Sequence, residues 1–144
     1  MKDIIFFVKN HIFLVFIWFF FMFLTIYSIT RVFFLKFKII NNTEAIELIN
    51  KKKAIIIDTR SLDLFTQGHI VHSINFLLEH ILLNKIETLK IYKYCPIILV
   101  ISESNKYDEC VSVFLKNGFS RIYVLKNGID FWNLDNLPLV TKDK

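Results

Sequence analysis

The sequence predicts an α/β domain built on a parallel sheet and preceded by one membrane-spanning helix. Three observations carry that prediction. Ile12 to Thr30 is a run of 19 residues without a charge. The compact apolar runs Ala54–Asp58 (AIIID) and Pro96–Ile101 (PIILVI) end in polar loops, as strands buried on both faces do. Segments with helical apolar spacing alternate with these runs, the pattern of parallel strands joined by crossover helices.

Taken in order, residues 1–11 form a short N-terminal tail, 12–30 the transmembrane helix, 31–42 a juxtamembrane linker and 43–144 the globular domain. At 1.5 Å per residue the uncharged run reaches roughly 28 Å, close to the ~30 Å hydrocarbon core of a bilayer. Its Thr and Ser hydroxyls bond back to the preceding turn and so cost little in lipid. A cleaved signal peptide fits less well, because apolar regions of signals run about 7–15 residues and Ser28-Ile29-Thr30 is a poor cleavage site. Lys2 and Lys9 precede the span, whereas Arg31, Lys36, Lys38 and Lys51 to Lys53 follow it, which places the C-terminal domain in the cytoplasm. Trp18 lies well inside the span and is expected to face lipid or a partner helix. Arg31 to Ile40 mixes aromatic and basic residues and suits the headgroup boundary.

Within the domain, Asn41, Asn42 and Thr43 offer N-caps to a short helix over Glu44–Asn50 that buries Ile46 and Ile49, with Lys51 to Lys53 at its negative end. Ala54–Asp58 is a central strand. Ser61–Gln67 is a short helix that Gly68 is placed to end with a left-handed cap, and Ser73–Phe76 a second strand. Residues 77–92 form two helices broken near Asn84. After the strand Ile97–Ile101 and the loop Ser102–Lys106, a helix over Tyr107–Asn117 has Asp108 and Glu109 at its start, Val111, Phe114 and Leu115 on its buried face and Gly118 as its cap. A strand over Arg121–Leu125, a helix over Gly128–Leu134 and an extended tail over Leu137–Val140 complete the fold.

Composition excludes some functions. The chain has 144 residues, a net charge of +5, 54% hydrophobic residues and 16 Phe. Its lysines are scattered rather than massed, which fits a membrane surface and not a nucleic acid. Cys95 and Cys110 are too few and too far apart for a metal site or a CxxC redox pair, and neither a metal nor any other cofactor is expected. Both read as small apolar packing residues.

Ile55–Phe76 (IIIDTRSLDLFTQGHIVHSINF) resembles the first rhodanese signature, an Asp-x-Arg after a strand followed by aromatic-x-x-Gly-His-Ile and an Asn. Gly118–Val140 (GFSRIYVLKNGIDFWNLDNLPLV) resembles the second, with Gly-Phe, a strand, Leu-Lys-x-Gly-Ile-x-x-Trp and Leu-Pro. With its single span, the whole chain resembles the small bacterial inner-membrane rhodanese-like proteins of the YibN type. The resemblance implies a five-stranded parallel sheet flanked by helices. It also implies structural roles for Asp58, Arg60, Gly68, His69, Gly118, Gly128 and Trp132. Asp58 and Arg60 form a carboxylate–guanidinium tie, His69 is a hydrogen-bonded packing residue and Trp132 belongs to the core. His72 stands where the family commonly has Gly.

In active sulfurtransferases of this family a cysteine at the end of the strand before the loop carries sulfur as a persulfide. Such chemistry needs a thiolate over backbone amides and near the positive end of the following helix. Counting back from Gly118, that position is Ile101, so the resemblance implies no catalytic residue. The loop Ser102, Glu103, Ser104, Asn105 and Lys106 lacks the family's usual Gly and Arg, and Glu103 disfavours an anion. Ser102, Ser104 and Asn105 supply hydrogen-bond donors to a small ligand or peptide, as any solvated loop does. Cys110 lies about three residues into the helix, and Cys95 is roughly 15–20 Å from the loop at 3.3 Å per residue. The expectation is a membrane-anchored, non-catalytic rhodanese-like module that binds another membrane protein. Its alternative is a sulfur carrier or sulfurtransferase using Cys110 or Cys95.

Overall fold

The computed structural model describes the backbone of residues 11–33 and 37–141 and the side chains of 11–28 and 37–141; the N-terminal tail up to residue 10 lies outside these. The chain divides into two compact units, Met1–Leu35 and Lys36–Lys144.

The first unit contains α1, Ile12–Phe33, a helix of 22 residues. The Thr25 hydroxyl donates to the Phe21 carbonyl at 2.6 Å, the back-bonding that lets a hydroxyl sit in an apolar helix. Among the described residues no helix is long and apolar enough to cross a membrane. In α1 the described side chains are the seventeen from Ile12 to Ser28.

The second unit is a five-stranded sheet, all of it parallel, in the order β1-β5-β4-β2-β3. The strands are β1 (Phe37–Ile40), β2 (Ile55–Asp58), β3 (Ile74–Asn75), β4 (Ile97–Val100) and β5 (Ile122–Leu125). The helices are α2 (Asn42–Lys52), α3 (Leu62–Gln67), α4 (Leu78–Leu82), α5 (Tyr107–Lys116) and α6 (Gly128–Leu134), with 3-10 turns at Glu87–Tyr92 and Ser104–Lys106.

Phe37–Ile40, assigned to a juxtamembrane linker, is an edge strand, so the sheet begins before Thr43. Aromatic and basic residues mixed over so short a run suit an edge strand equally well. Ile40 is buried, and Lys38, two residues earlier on the same face, is exposed and pairs with Glu44 at 2.6 Å. In α2, Ala45 and Leu48 are buried, and Ile46 and Ile49 are only half-buried. The small Ala45 lets the helix backbone approach the sheet, so the apolar stripe centres on it and the two isoleucines flank it. The start of α2 is a capping box. Glu44 N–H donates to Asn41 Oδ1 at 2.8 Å and Asn41 N–H to Glu44 Oε2 at 3.1 Å.

Period-two alternation along β4 divides the core into two layers. Ile97 and Leu99 pack with Ile57, Val111, Phe114 and Phe119 on the α5 side, and Ile101, one residue past the strand, joins them. Ile98 and Val100 pack with Ile40, Ile56, Leu125 and Trp132 on the other side. Leu99, Val100 and Ile101 are all fully buried, which explains the uninterrupted apolar run in the sequence.

Candidate functional site

Because the sheet is parallel, the carboxyl ends of β2 and β4 lie side by side, with Asp58 opposite Val100. The loops leaving these strands diverge and leave an open cleft of about 490 Å³ between them. Its floor and one wall come from Thr59, Arg60 and Ser61 after β2, and Ser102 and Glu103 come from the loop after β4. Leu64 of α3, Leu77, and Leu78 and Glu79 of α4 supply the remaining lining.

The floor is rigid for an identifiable reason. Asp58 is fully buried, and its carboxylate accepts from Arg60 Nε at 3.0 and 3.1 Å, from Nη2 at 2.7 Å and from the Arg60 backbone N–H at 3.0 Å. The second job of Nη2 is to donate to the Gly68 carbonyl at 2.8 Å, which ties the end of β2 to the end of α3. Asn75 Nδ2 then donates to the carbonyls of Asp58 and Arg60 at 3.2 and 2.8 Å. Thr59 fastens the floor to β4, since its N–H and its hydroxyl both donate to the Val100 carbonyl, at 3.0 and 2.9 Å. The Arg60 guanidinium is thus spent on a buried carboxylate. By contrast, Glu79 and Glu103 form no ion pair among the described residues, so the cleft mouth is acidic over leucine walls.

Ile101 stands directly after β4 with its side chain in the α5-side core and none of it exposed. Gly128 lies close beneath it. A Cβ on Gly128 would stand 3.3 Å from the Ile101 carbonyl oxygen, and φ there is +55°. Of the loop residues, Ser102 and Glu103 reach the cleft, Ser104 and Asn105 are exposed, and Lys106 pairs with Glu109 at 3.0 Å. The next residue, Tyr107, is buried. Burial raises its phenol above its ordinary value, and the Asn127 backbone N–H bonded to it acts in the opposite direction.

Neither thiol reaches the cleft lining. Cys110 is completely buried in α5 within the same core layer as Ile101. Burial pushes its thiol up to about 12, and the neighbouring Glu109 carboxylate adds to the effect. Cys95 is half-buried before β4, six residues from Ile101 along the chain and roughly 20 Å away at 3.3 Å per residue.

The other singled-out residues are dispersed. His69 stacks on Phe65 with centroids 3.8 Å apart, its Nδ1 lies 2.8 Å from the Phe65 carbonyl, and its backbone bridges to Val140. Gly68 ends α3 in an extended conformation, φ of 171°, not in the expected left-handed cap, and is packed against Leu139. Trp132 is buried in the opposite core layer and donates to the Pro138 carbonyl at 3.2 Å. Gly118, with φ of +84°, caps α5 at the far edge of the sheet. His72 takes φ of +62°, a left-handed conformation that glycine adopts more cheaply. Thr59, Ser61, Leu64, Leu77, Leu78 and Glu79 line the cleft without being singled out by the sequence. Only Thr59 carried a local signal, as the middle residue of Asp-x-Arg; the leucines come together only once α3 and α4 are folded.

A rhodanese-like domain family model matches residues 41–135. The protein BU052 of Buchnera aphidicola subsp. Acyrthosiphon pisum is 50% identical over 144 residues, covering both chains entirely. YibN of Escherichia coli K12 is 40% identical over 105 residues, 73% of each chain. Among solved structures, a rhodanese-related protein from Thermoplasma volcanium superposes with a TM-score of 0.60 at 22% identity, over 73% of this chain and 99% of that one. The Alr3790 protein from Anabaena superposes with a TM-score of 0.60 at 17% identity, over 72% and 82%. The five-stranded parallel sheet, its flanking helices and these matches together place the chain in the rhodanese-like domain family.

Proposed function

We propose that this protein is a membrane-anchored rhodanese-like module without sulfurtransferase chemistry, which acts by binding another membrane protein through the cleft beyond β2 and β4. The observation that carries the reading is Ile101. It occupies the position at which sulfurtransferases of the family hold sulfur on cysteine, and a fully buried isoleucine offers no electron pair to a sulfur donor. Cys110 supports the same reading, since a thiol held near 12 is almost entirely protonated at neutral pH. The binding role draws on the leucine walls and the fixed floor, which offer a preformed surface for a side chain. The anchor is the run Ile12–Thr30. The charges that follow it support an orientation with the folded unit on the cytoplasmic side of a bacterial inner membrane.

The test is turnover of thiosulfate and cyanide by the full chain in lipid nanodiscs. The expected result is no thiocyanate above buffer. Activity that disappears in Cys110→Ala or Cys95→Ala would replace this reading with a sulfur carrier using an off-position thiol. A C-terminal reporter active only in the periplasm would overturn the orientation.

A further inference from the structure

The strands of the sheet start in register. Phe37 lies opposite Ile122, Ile122 opposite Ile97 and Ile97 opposite Ile55. All the turns that enter these strands therefore share one edge of the sheet, and the cleft occupies the other. The entry turns are stitched together: Ile55 N–H donates to the Pro96 carbonyl at 2.8 Å, Ile97 N–H to the Arg121 carbonyl at 2.9 Å, and the Arg121 guanidinium to the Tyr94 carbonyl.

This edge combines two features. The first is unbalanced positive charge. Lys52 and Lys53 close α2 before β2, Lys93 precedes β4, and Arg121 precedes β5. None of these four pairs with a carboxylate among the described residues. The second is apolar surface. Tyr94 and Ile91 are 82% and 75% exposed, the most exposed large hydrophobic residues of the folded unit. Cations alternating with solvent-facing aromatic and aliphatic side chains suit a layer of anionic headgroups, where the apolar groups enter the acyl boundary and the cations meet phosphate. The opposite edge has the wrong sign for such a surface, with Glu79 and Glu103 unpaired at the cleft and Asp108 opening α5.

From this we infer that the strand-entry edge docks on the anionic headgroup surface of the bilayer and so turns the cleft away from the membrane, towards a cytoplasmic segment of the membrane protein that it binds. The inference rests on the anchored reading above, and chain length agrees with it. Only three residues separate Phe33, the end of α1, from Phe37, where the chain enters the folded unit at this edge.

The test uses the full chain with Cys95→Ser and single nitroxide labels at Phe20→Cys, Tyr94→Cys or Ser102→Cys, reconstituted in phosphatidylglycerol-rich or pure phosphatidylcholine vesicles. Collisions with a water-soluble nickel chelate are read by power saturation. In phosphatidylglycerol the label at position 94 is expected to lose at least about threefold in nickel accessibility relative to phosphatidylcholine, while position 102 stays open. High salt, or Lys52→Glu with Lys53→Glu in a chain of unchanged circular dichroism, restores access at position 94. Position 20 shielded with position 94 as open as position 102 overturns this inference alone. Position 20 open to nickel overturns the anchored reading and this inference with it.

Discussion

Arg60→Ala isolates the interaction that fixes the floor of the cleft. The substitution removes the Nε and Nη2 bonds to the Asp58 carboxylate and the Nη2 bond to the Gly68 carbonyl. Only the Arg60 backbone N–H would then remain on the carboxylate, whose side chain is 1% exposed. Because the Arg60 side chain is itself only 11% exposed, little solvent is available to screen the lost pair. Stranding a buried charge in this way costs about 3–5 kcal/mol. At roughly 4 °C per kcal/mol for a domain of this size, Tm falls by about 12–20 °C. The double variant Asp58→Asn with Arg60→Met removes the stranded charge along with its partner and should recover about half of the loss or more. Thermal unfolding of wild type, Asp58→Asn, Arg60→Met and their double variant in detergent, with Arg60→Ala beside them, followed by Trp132 fluorescence in a Trp18→Phe background, measures the cycle. A loss below about 1 kcal/mol in Arg60→Ala, or no coupling between the two sites, would refute the assignment of Asp58 and Arg60 as a desolvated pair.

The Cys110 thiol gives a second outcome. With its value moved from 9.0 to about 12, the thiolate fraction at a given pH below 9 falls ~1,000-fold, so iodoacetamide labels Cys110 far more slowly in the folded chain than in urea. The sign for stability follows from the direction of the shift. The contribution from keeping this thiol protonated is complete below about 9 and is lost as pH climbs towards about 12, which urea titrations of wild type and Cys110→Ala compared across that window will register. At Gly118, φ of +84° costs an L-residue about 1–2 kcal/mol, while the clash of a new Cβ falls on the end of the flexible Lys93 chain at 2.6 Å. Gly118→Ala is thus expected to lose about that amount in urea unfolding, and a loss above about 4 kcal/mol would show that Lys93 is not free to move.

The sequence revealed elements whose physical cause is local. The run Ile97–Ile101 declares a strand buried on both faces, and it differs from β4 only in that Ile101 lies just past the final pair, Asp58 with Val100. Gly118 announced the end of α5 because a left-handed cap is what glycine permits most cheaply. Phe37–Ile40 carries no local strand signal because its pairing partner, β5, lies more than eighty residues away, and its mixture of aromatic and basic residues suits a membrane surface equally well. The cleft was half legible. Asp58, Arg60 and the loop from Ser102 could be named from motif and spacing, whereas Leu64, Leu77 and Leu78 converge through the packing of α3 and α4 against the sheet.

Holding the site together does not depend on the identity of residue 101. The end of β4 is fixed by the Val100 carbonyl, which takes both donors of Thr59, and the approach of α6 is set by the Ile101 backbone against Gly128. The side chain at 101 contributes only to the core layer, where Ile97, Leu99 and Phe114 ask for apolar volume. A thiol at that place would be smaller than isoleucine and would leave the layer underfilled, at a cost of the order of 1–3 kcal/mol. Under the proposed reading, a chain that no longer transfers sulfur therefore gains stability by replacing the nucleophile with isoleucine while every bond that shapes the cleft stays in place. The same separation explains how an acidic Glu103 is tolerated beside the floor. Arg60 is committed to Asp58 and Gly68, so the loop charge leaves the scaffold intact and alters only what the cleft will accept.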